Sequence, residues 1–503
     1  VAVGLLAMRK SSGQVVGGAL KATLGFLILG AGAGVVVASL EPLGALILAA
    51  TGAQGVVPTN EAIVSIAAEE FGAQLAWVMV GGFVVHLVIA RFLPLKYVFL
   101  TGHHIFFMSA MLTAVLATAN IDGFMLIIIG SIMLGTIMSI MPALSQPFTR
   151  RITGNNTIAV GHFGTLGYIT AGAVGAAVGK KSRSTEDLKV PEGLRFLRDS
   201  MVATALSMVL FYIVFTVWTW IALGNEEAFA ILGATDGGNF IMLGVAQGLQ
   251  FGIGVSIILY GVRTILAELV PAFEGISKKV VPGAVPALDC PIVFPFAPNA
   301  VLIGFIASFA GGLLSFGLLA WVFGPWLGLA LILPGMVPHF FTGGAAGVFG
   351  NATGGRRGAI IGAFANGVLI SFLPAFLLTV LGSLGFANTT FGDADFGWYG
   401  ILVGNIVKLG PAGGIIGLLV LAAALLAFAS WFQTRYVNTH WIPGKAHADW
   451  IAEQQAAAKA AHAAQKAAAR QANPPAGKAS GTGTASGTGT ASGTGTASGT
   501  TKP

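Results

Sequence analysis

Long apolar runs set the pattern of this chain. They recur with a length of about 20 residues, what an α-helix needs to cross roughly 30 Å of hydrocarbon. Their centres lie near Phe26, Val84, Met111, Ile128, Leu210, Ile257, Phe309, Leu369 and Leu419. Runs of this length predict spanning helices and exclude a β-barrel, whose strands need only about 9–11 residues. The expected fold is an all-α polytopic membrane protein of about ten to eleven transmembrane helices, supplemented by re-entrant or half-helix segments. One such segment is TIAVGHFGTLGYITAGAVGAAVG, which joins Arg151 to Lys180 and Lys181. A complete crossing there would put basic loops on both sides of the membrane, and a broken or re-entrant segment removes the conflict.

The polar intervals divide the chain. Residues 1–432 form the membrane-embedded domain. Its opening, VAVGLLAM, meets Arg9 and Lys10 too soon for a full span, so the first helix is expected to be shortened. The charges follow the apolar stretch, the reverse of a secretory signal. KKSRSTEDLKVPEGLRFLRDS is the long hydrophilic loop of this domain, read as a solvated linker with a short amphipathic helix. Residues 433–473 are rich in Ala, Gln and Lys and predict a cytoplasmic helix. Residues 474–503 repeat ASGTGT units, a composition that stays disordered.

Composition sharpens the class. Hydrophobic residues make up 55% of the 503 positions and charged residues 9%, against about 25% charged in an ordinary soluble domain. The net charge of +7 is mostly tail, since residues 431–503 hold seven Lys/Arg and two Asp/Glu. That distribution follows the positive-inside rule and gives no nucleic-acid surface. The basic loops at Arg91 and Lys96, and at Arg150 and Arg151, are assigned with the tail to the cytoplasmic side of the membrane. A single cysteine, Cys290, leaves no intramolecular disulfide and no Cys-based zinc site. Many of the 72 glycines fall inside apolar runs, where they let helices approach closely.

A longer period is visible too. VVPTNEA around Glu61 and AVPALDC around Asp289 share the spacing Val-Pro-x-x-acid, and each is followed by a long span and then a Gly-and-His segment. Those segments are LTGHHIFF (100–107) and LPGMVPHFF (333–341). The pattern predicts a two-fold internal repeat, inverted if each copy holds an odd number of spans.

Few residues in the apolar body could carry chemistry. A carboxylate within a membrane is costly unless it is paired, protonated or facing water, so Glu61 and Asp289 are candidate substrate contacts, with helix capping as the alternative. His103 and His162, in GHH and GHF contexts, can donate to or accept from hydroxyls without a permanent charge. His86, His104 and His339 read as packing histidines. Arg263 and Glu268 read as interfacial anchors or a structural ion pair, and Asn299 and Asn351 as turn or cap residues. No phosphate loop, catalytic triad, zinc motif or other metal or cofactor signature appears.

Several segments together carry a resemblance: LTGHHIFF, GHFG, KSRSTEDLKVP, the stretch from Tyr260 to Val301, and LPGMVPHFFTGGAAGVFGNATGGRRGA. Through them the chain, from about Leu5 to about Gln433, resembles the ascorbate-type IIC permeases of the bacterial sugar phosphotransferase system, within the ascorbate/galactitol superfamily. The resemblance implies a homodimer whose substrate-holding domains move against a dimerising domain. It also implies group translocation of L-ascorbate or a related sugar, sugar acid or polyol, phosphorylated at the cytoplasmic face by a separate IIB protein that IIA charges. Phosphoryl-transfer residues then lie on those partners. By position, the implied binding residues are Asn60, Glu61, His103, Phe107, His162, Phe163, Asp289 and Val337. The family carries amides at the positions of Phe107 and Phe163 and a Thr-Tyr pair at those of Asn60 and Glu61. From the residues alone, an ion-coupled transporter with Glu61 or Asp289 as proton site is the competing reading.

Overall fold

A computed structural model describes residues 2–52, 55–121, 123–179, 182–188, 200–382 and 388–472. The first helices are α1 (Ala2–Ala7), α2 (Ser12–Thr51), α3 (Asn60–Phe92), α4 (Gly102–Ala117), α5 (Gly123–Thr153) and α6 (Thr165–Val178). Then come α7 (Ser200–Leu223), α8 (Asn225–Leu232), α9 (Gly237–Val280), α10 (Pro298–Leu318) and α11 (Gly324–Leu327). The body closes with α12 (Met336–Leu377), α13 (Ala394–Val407) and α14 (Pro411–Phe432). Helix α15 (His447–Ala472) belongs almost wholly to a second unit, residues 448–503, and is a polar, alanine-rich helix in its own right. The rest of that unit, residues 473–503, and the expected amphipathic helix near residues 189–199 lie outside the described residues.

Local signals set several boundaries. Ser11 and Gln14 form a reciprocal capping box at the start of α2, and Gly52, with φ of 72°, ends that helix in the left-handed region. Among the described residues, seven helices are long and apolar enough to cross a membrane, fewer than the ten to eleven read from the sequence. Part of the difference is α4, α6 and Met208–Leu223, apolar but at most 17 residues long. Another part is α12, which at 42 residues is about twice the length of one crossing.

Helix α12 does not run straight. Gly355, at φ 58° and ψ −148°, turns it back on itself. The amide of Asn366 on the second limb donates to Thr342 Oγ1 on the first at 3.1 Å, and nearer the turn Gly350 and Gly358 face each other so closely that a Cβ on either would strike the other's backbone oxygen. The hairpin packs on α10 through small residues. A Cβ on Gly304 would meet Gly343 O and one on Gly347 would meet Ala300 O, the small-xxx-small contact of membrane helices. The tip of the hairpin is held by the segment before α7: Arg356 N donates to Arg183 O at 2.8 Å and Arg356 Nε to Ser184 O at 3.0 Å.

The all-α expectation needs one addition. Six short strands, β1 (Gly55–Pro58), β2 (Tyr97–Phe99), β3 (Ala159–Val160), β4 (Val285–Leu288), β5 (Leu331–Ile332) and β6 (Thr389–Thr390), form two three-stranded parallel sheets. In one, β1 lies between β5 and β6; in the other, β4 lies between β2 and β3. Each central strand comes from one half of the chain and both its neighbours from the other. Val56, Val57, Phe99, Ala159, Val160, Ala287 and Ile332 are buried, so the strands sit inside the helical body, where extended backbone must find its partners within the protein. His86 reinforces this, its Nε2 accepting from Phe99 N at 3.0 Å while Nδ1 bonds Ser139 Oγ at 2.7 Å.

The left-handed φ and extended ψ of Gly355 suit glycine alone, and a Cβ there would lie 2.5 Å from Arg183 O. Gly355→Ala is therefore expected to lower stability by about 1–3 kcal/mol. Gly13→Ala, where a Cβ meets nothing within 4 Å, should change it by less than about 0.5 kcal/mol. Thermal unfolding of the detergent-solubilised variants reads the difference.

Candidate functional site

The ends of the strands converge on one cavity. β1 leads through Thr59 into α3 at Asn60 and Glu61; β2 leads into α4 at His103; β4 ends at Asp289; β5 leads to Val337; β3 and β6 lead to His162 and Asp393. The cavity measures about 260 Å³ and is lined by Asn60, Glu61, His103, His104, Phe107, His162, Arg263, Asp289, Pro291, Val337, Pro338, Phe341 and Asp393. On the same measure a water needs only about 10–15 Å³, so the space suits a small solute.

Asp289 holds both of the roles that the sequence leaves as alternatives. Its Oδ1 accepts from Cys290 N at 2.7 Å, capping the 3₁₀ turn Cys290–Phe296. It also faces the histidines, with Oδ2 3.5 Å from His103 Nε2 and Oδ1 3.8 Å from His162 Nε2. The tautomer of His162 follows from its other nitrogen. Nδ1 accepts from Gly164 N at 2.9 Å and lies 2.8 Å from the Tyr168 hydroxyl, so in the neutral ring the proton sits on Nε2, toward Asp289. His104 Nδ1 likewise accepts from Phe163 N at 3.4 Å.

Glu61 stands in the first turn of α3 at 7% exposure, and among the described residues its Oε2 has no hydrogen-bond partner. Its neighbour Asn60 ties two elements together. The amide Nδ2 donates to Asp393 Oδ2 and Oδ1 accepts from Gly392 N, each at 2.8 Å. The Val-Pro-x-x-acid segments thus meet in space but differ in register. Pro58 is the last residue of β1, whereas Pro286 is the second of β4, so Asp289 directly follows its strand and Glu61 lies in the first turn of a helix.

Of the eight sequence-derived residues, seven line the cavity. Phe163 does not; it is fully buried behind it, stacked on Phe99 at 4.9 Å and edge-on to His104. His104, which reads as a packing histidine in the sequence, joins the lining, and its ring lies 3.8 Å from that of His162. Arg263 and Glu268 are not an ion pair: Glu268 pairs with Lys21 at 3.1 Å and Arg263 reaches the cavity. Asn299 and Asn351 do dock a turn, bonding to Leu188 O at 2.9 Å and Thr185 N at 2.9 Å. Asp393 escapes the sequence reading, although FGDADFG has the same signal as Glu61 and Asp289, a carboxylate among apolar and glycine residues. Its neighbour Asp395 has a structural task, accepting from Thr165 N at 2.9 Å and Leu166 N at 3.0 Å to cap α6. In three sets, His103/His104/Asp289, His104/His162/Asp393 and His162/Asp289/Cys290, the potential ligand atoms lie within 4.8 Å of one another. Cys290 is fully buried, no position for an exposed phosphoryl-accepting thiol.

Long apolar helices around a polar cavity at helix starts and strand ends are the architecture of a multi-pass membrane protein. Residues 1–395 match the PTS system sugar-specific permease component, and the chain belongs to that family. It is 29% identical over 401 residues to the ascorbate-specific PTS system EIIC component of Mycoplasma pneumoniae, an alignment covering 71% of this chain and 61% of that relative.

Replacing Asn60 by Ala removes both of its bonds and leaves the buried Asp393 carboxylate without that donor. A buried polar group left without its hydrogen-bond partner costs about 1–3 kcal/mol, and a loss of that size in thermal stability is expected from Asn60→Ala, recovered in part by Asn60→Ser.

Proposed function

We propose that the chain is the IIC transport subunit of a phosphotransferase system, carrying L-ascorbate or a related sugar, sugar acid or polyol across the bacterial inner membrane. A separate IIB protein, charged by IIA, phosphorylates the solute as it reaches the cytoplasmic face. The observation that carries this reading is the cavity at the strand ends, where His103, His162 and Asp289 meet Asn60, Glu61, Phe107 and Val337. Neutral imidazole and carboxylate groups bond sugar hydroxyls, and Phe107 and Val337 offer apolar walls to C–H faces. Family membership and the ascorbate-specific relative support coupling to phosphoryl transfer.

The reciprocal strand exchange supports two inverted repeats, each lending a central strand to the other. The two limbs of α12 support a crossing count above seven, in line with ten to eleven. We further read the protein as a homodimer with a moving substrate domain in residues 1–432. The tail from 433 onward is assigned to the cytoplasm on the strength of its basic charge.

Uptake tests the coupling. Cells carrying this chain with IIA and IIB should accumulate the phosphorylated solute, and deleting IIB should abolish accumulation. Uptake that persists without IIB and phosphoenolpyruvate but collapses with an uncoupler would reverse the assignment in favour of proton coupling. Within the site, Asp289→Asn and His162→Ala should each weaken solute binding about tenfold or more while leaving the protein folded, as measured by calorimetry and size-exclusion chromatography. Wild-type affinity in both would remove them from the site.

A further inference from the structure

A second polar cavity lies at the opposite end of the sheet formed by β2, β4 and β3. Tyr97 and Val285, the paired first residues of β2 and β4, stand in its wall, and the far ends of the same strands lead to His103 and Asp289. Strands this short, at about 3.3 Å per residue, set the two cavities about 10 Å apart. The second measures about 260 Å³, as large as the first. A water needs only about 10–15 Å³ on that measure, so the space exceeds what one buried water fills.

The polar lining is a phenol, four carboxamides and an imidazole, and among the described residues it includes no carboxylate, Lys or Arg. Arg150 stands beside it, its two terminal nitrogens donating to Val437 O and Trp441 O at 3.0 Å each. Gln146 is 1% exposed, and its amide can be oriented one way only, because Nε2 donates to the carbonyl of Ile158 at 3.1 Å. That leaves Oε1 a buried acceptor without a partner. Gln146 Nε2 also reaches Asn156 Oδ1 at 3.3 Å, which leaves Asn156 Nδ2 as a spare donor. On the other wall Tyr97 Oη donates to Gln433 Oε1 and Gln433 Nε2 to Asn438 Oδ1, each at 2.9 Å, leaving Asn438 Nδ2 spare. The backbone here is irregular as well. The π-turn Gln433–Val437 follows α14, and His440 holds a left-handed φ of 56°; such departures concentrate at functional sites.

We propose that this cavity is a second binding site, for an uncharged polyhydroxylated solute. One spare acceptor and two spare amide donors call for a ligand that both gives and accepts hydrogen bonds, and every hydroxyl does both. A charged ligand would lose hydration on entry without meeting a free opposite charge, since the Arg150 guanidinium is already committed to backbone carbonyls. An unmatched buried acceptor is costly, which favours a ligand that supplies a donor to Gln146. A solute held here would touch the starts of the strands whose ends deliver His103 and Asp289. The inference uses this cavity's own residues and goes beyond the permease reading.

Thiol protection in the full chain, held in lipid nanodiscs, tests this. Val285→Cys puts a thiol in the cavity wall, and because the native Cys290 is fully buried, alkylation by N-ethylmaleimide reads the new thiol. Of xylitol, ribitol, mannitol and D-glucose, each at millimolar concentration, at least one should slow alkylation about threefold or more. In the same background Gln146→Leu, which keeps the bulk and removes the acceptor, should abolish the protection. Asn438→Ala, at an exposed position, should weaken it and serves where the buried change impairs folding. Asp289→Asn, in the other cavity, should leave it unchanged. No protection by any probe would overturn the proposal. So would protection unchanged in Gln146→Leu, or in Asn438→Ala where only that variant folds, and so would protection lost with Asp289→Asn. None of these readouts involves IIB or phosphoenolpyruvate, so the permease reading stands or falls separately.

Discussion

Extended backbone buried in an apolar body must have every amide and carbonyl paired within the protein. Here that requirement is met by exchange. β1 finds its partners in β5 and β6, and β4 finds its partners in β2 and β3. Among the described residues, neither central strand pairs with a strand of its own half of the chain. Because all the pairings are parallel, each sheet delivers three chain ends in one direction. Asn60, Glu61, His103, His162, Asp289, Val337 and Asp393 all stand at or just beyond such ends, and the cavity is the consequence.

Close packing keeps those ends in place. In a membrane the hydrophobic effect does not drive helices together, so van der Waals contact and internal hydrogen bonds must do it. The glycines of α10 and α12 let two backbones touch, and the turn at Gly355 lets one apolar segment present two limbs to its neighbours. Buried polar pairs add orientation. His339 Nδ1 and Ser308 Oγ lie 2.8 Å apart, and Asn366 bridges Ser308 and Thr342. Polar side chains here serve the scaffold as often as the site, which is why a polar residue in an apolar run is only a candidate for function.

That ambiguity bounds what the sequence reveals. Spanning helices are legible because apolar runs of about 20 residues match the hydrocarbon thickness of a bilayer, and Glu61, Asp289, His103 and His162 stand out against an apolar background. The strands are not legible, since segments of two to four residues carry no usable periodicity. His104 is hidden because adjacent residues on a helix point about 100° apart, and only the tertiary arrangement shows His162 beside it. Phe163 holds the right position in the string but turns away to pack on Phe99. Arg263 loses its expected partner, because Glu268 pairs instead with Lys21, 247 residues away in the chain.

A single site at the strand ends, shared by both halves of the chain, is the centre of this account. An electron cryomicroscopy structure of the protein saturated with the tightest-binding solute tests it most directly. Density for the solute between Glu61, Asp289 and His162, within hydrogen-bond distance of all three, is the expected result. Density at any other cavity, with this one unchanged, would contradict it.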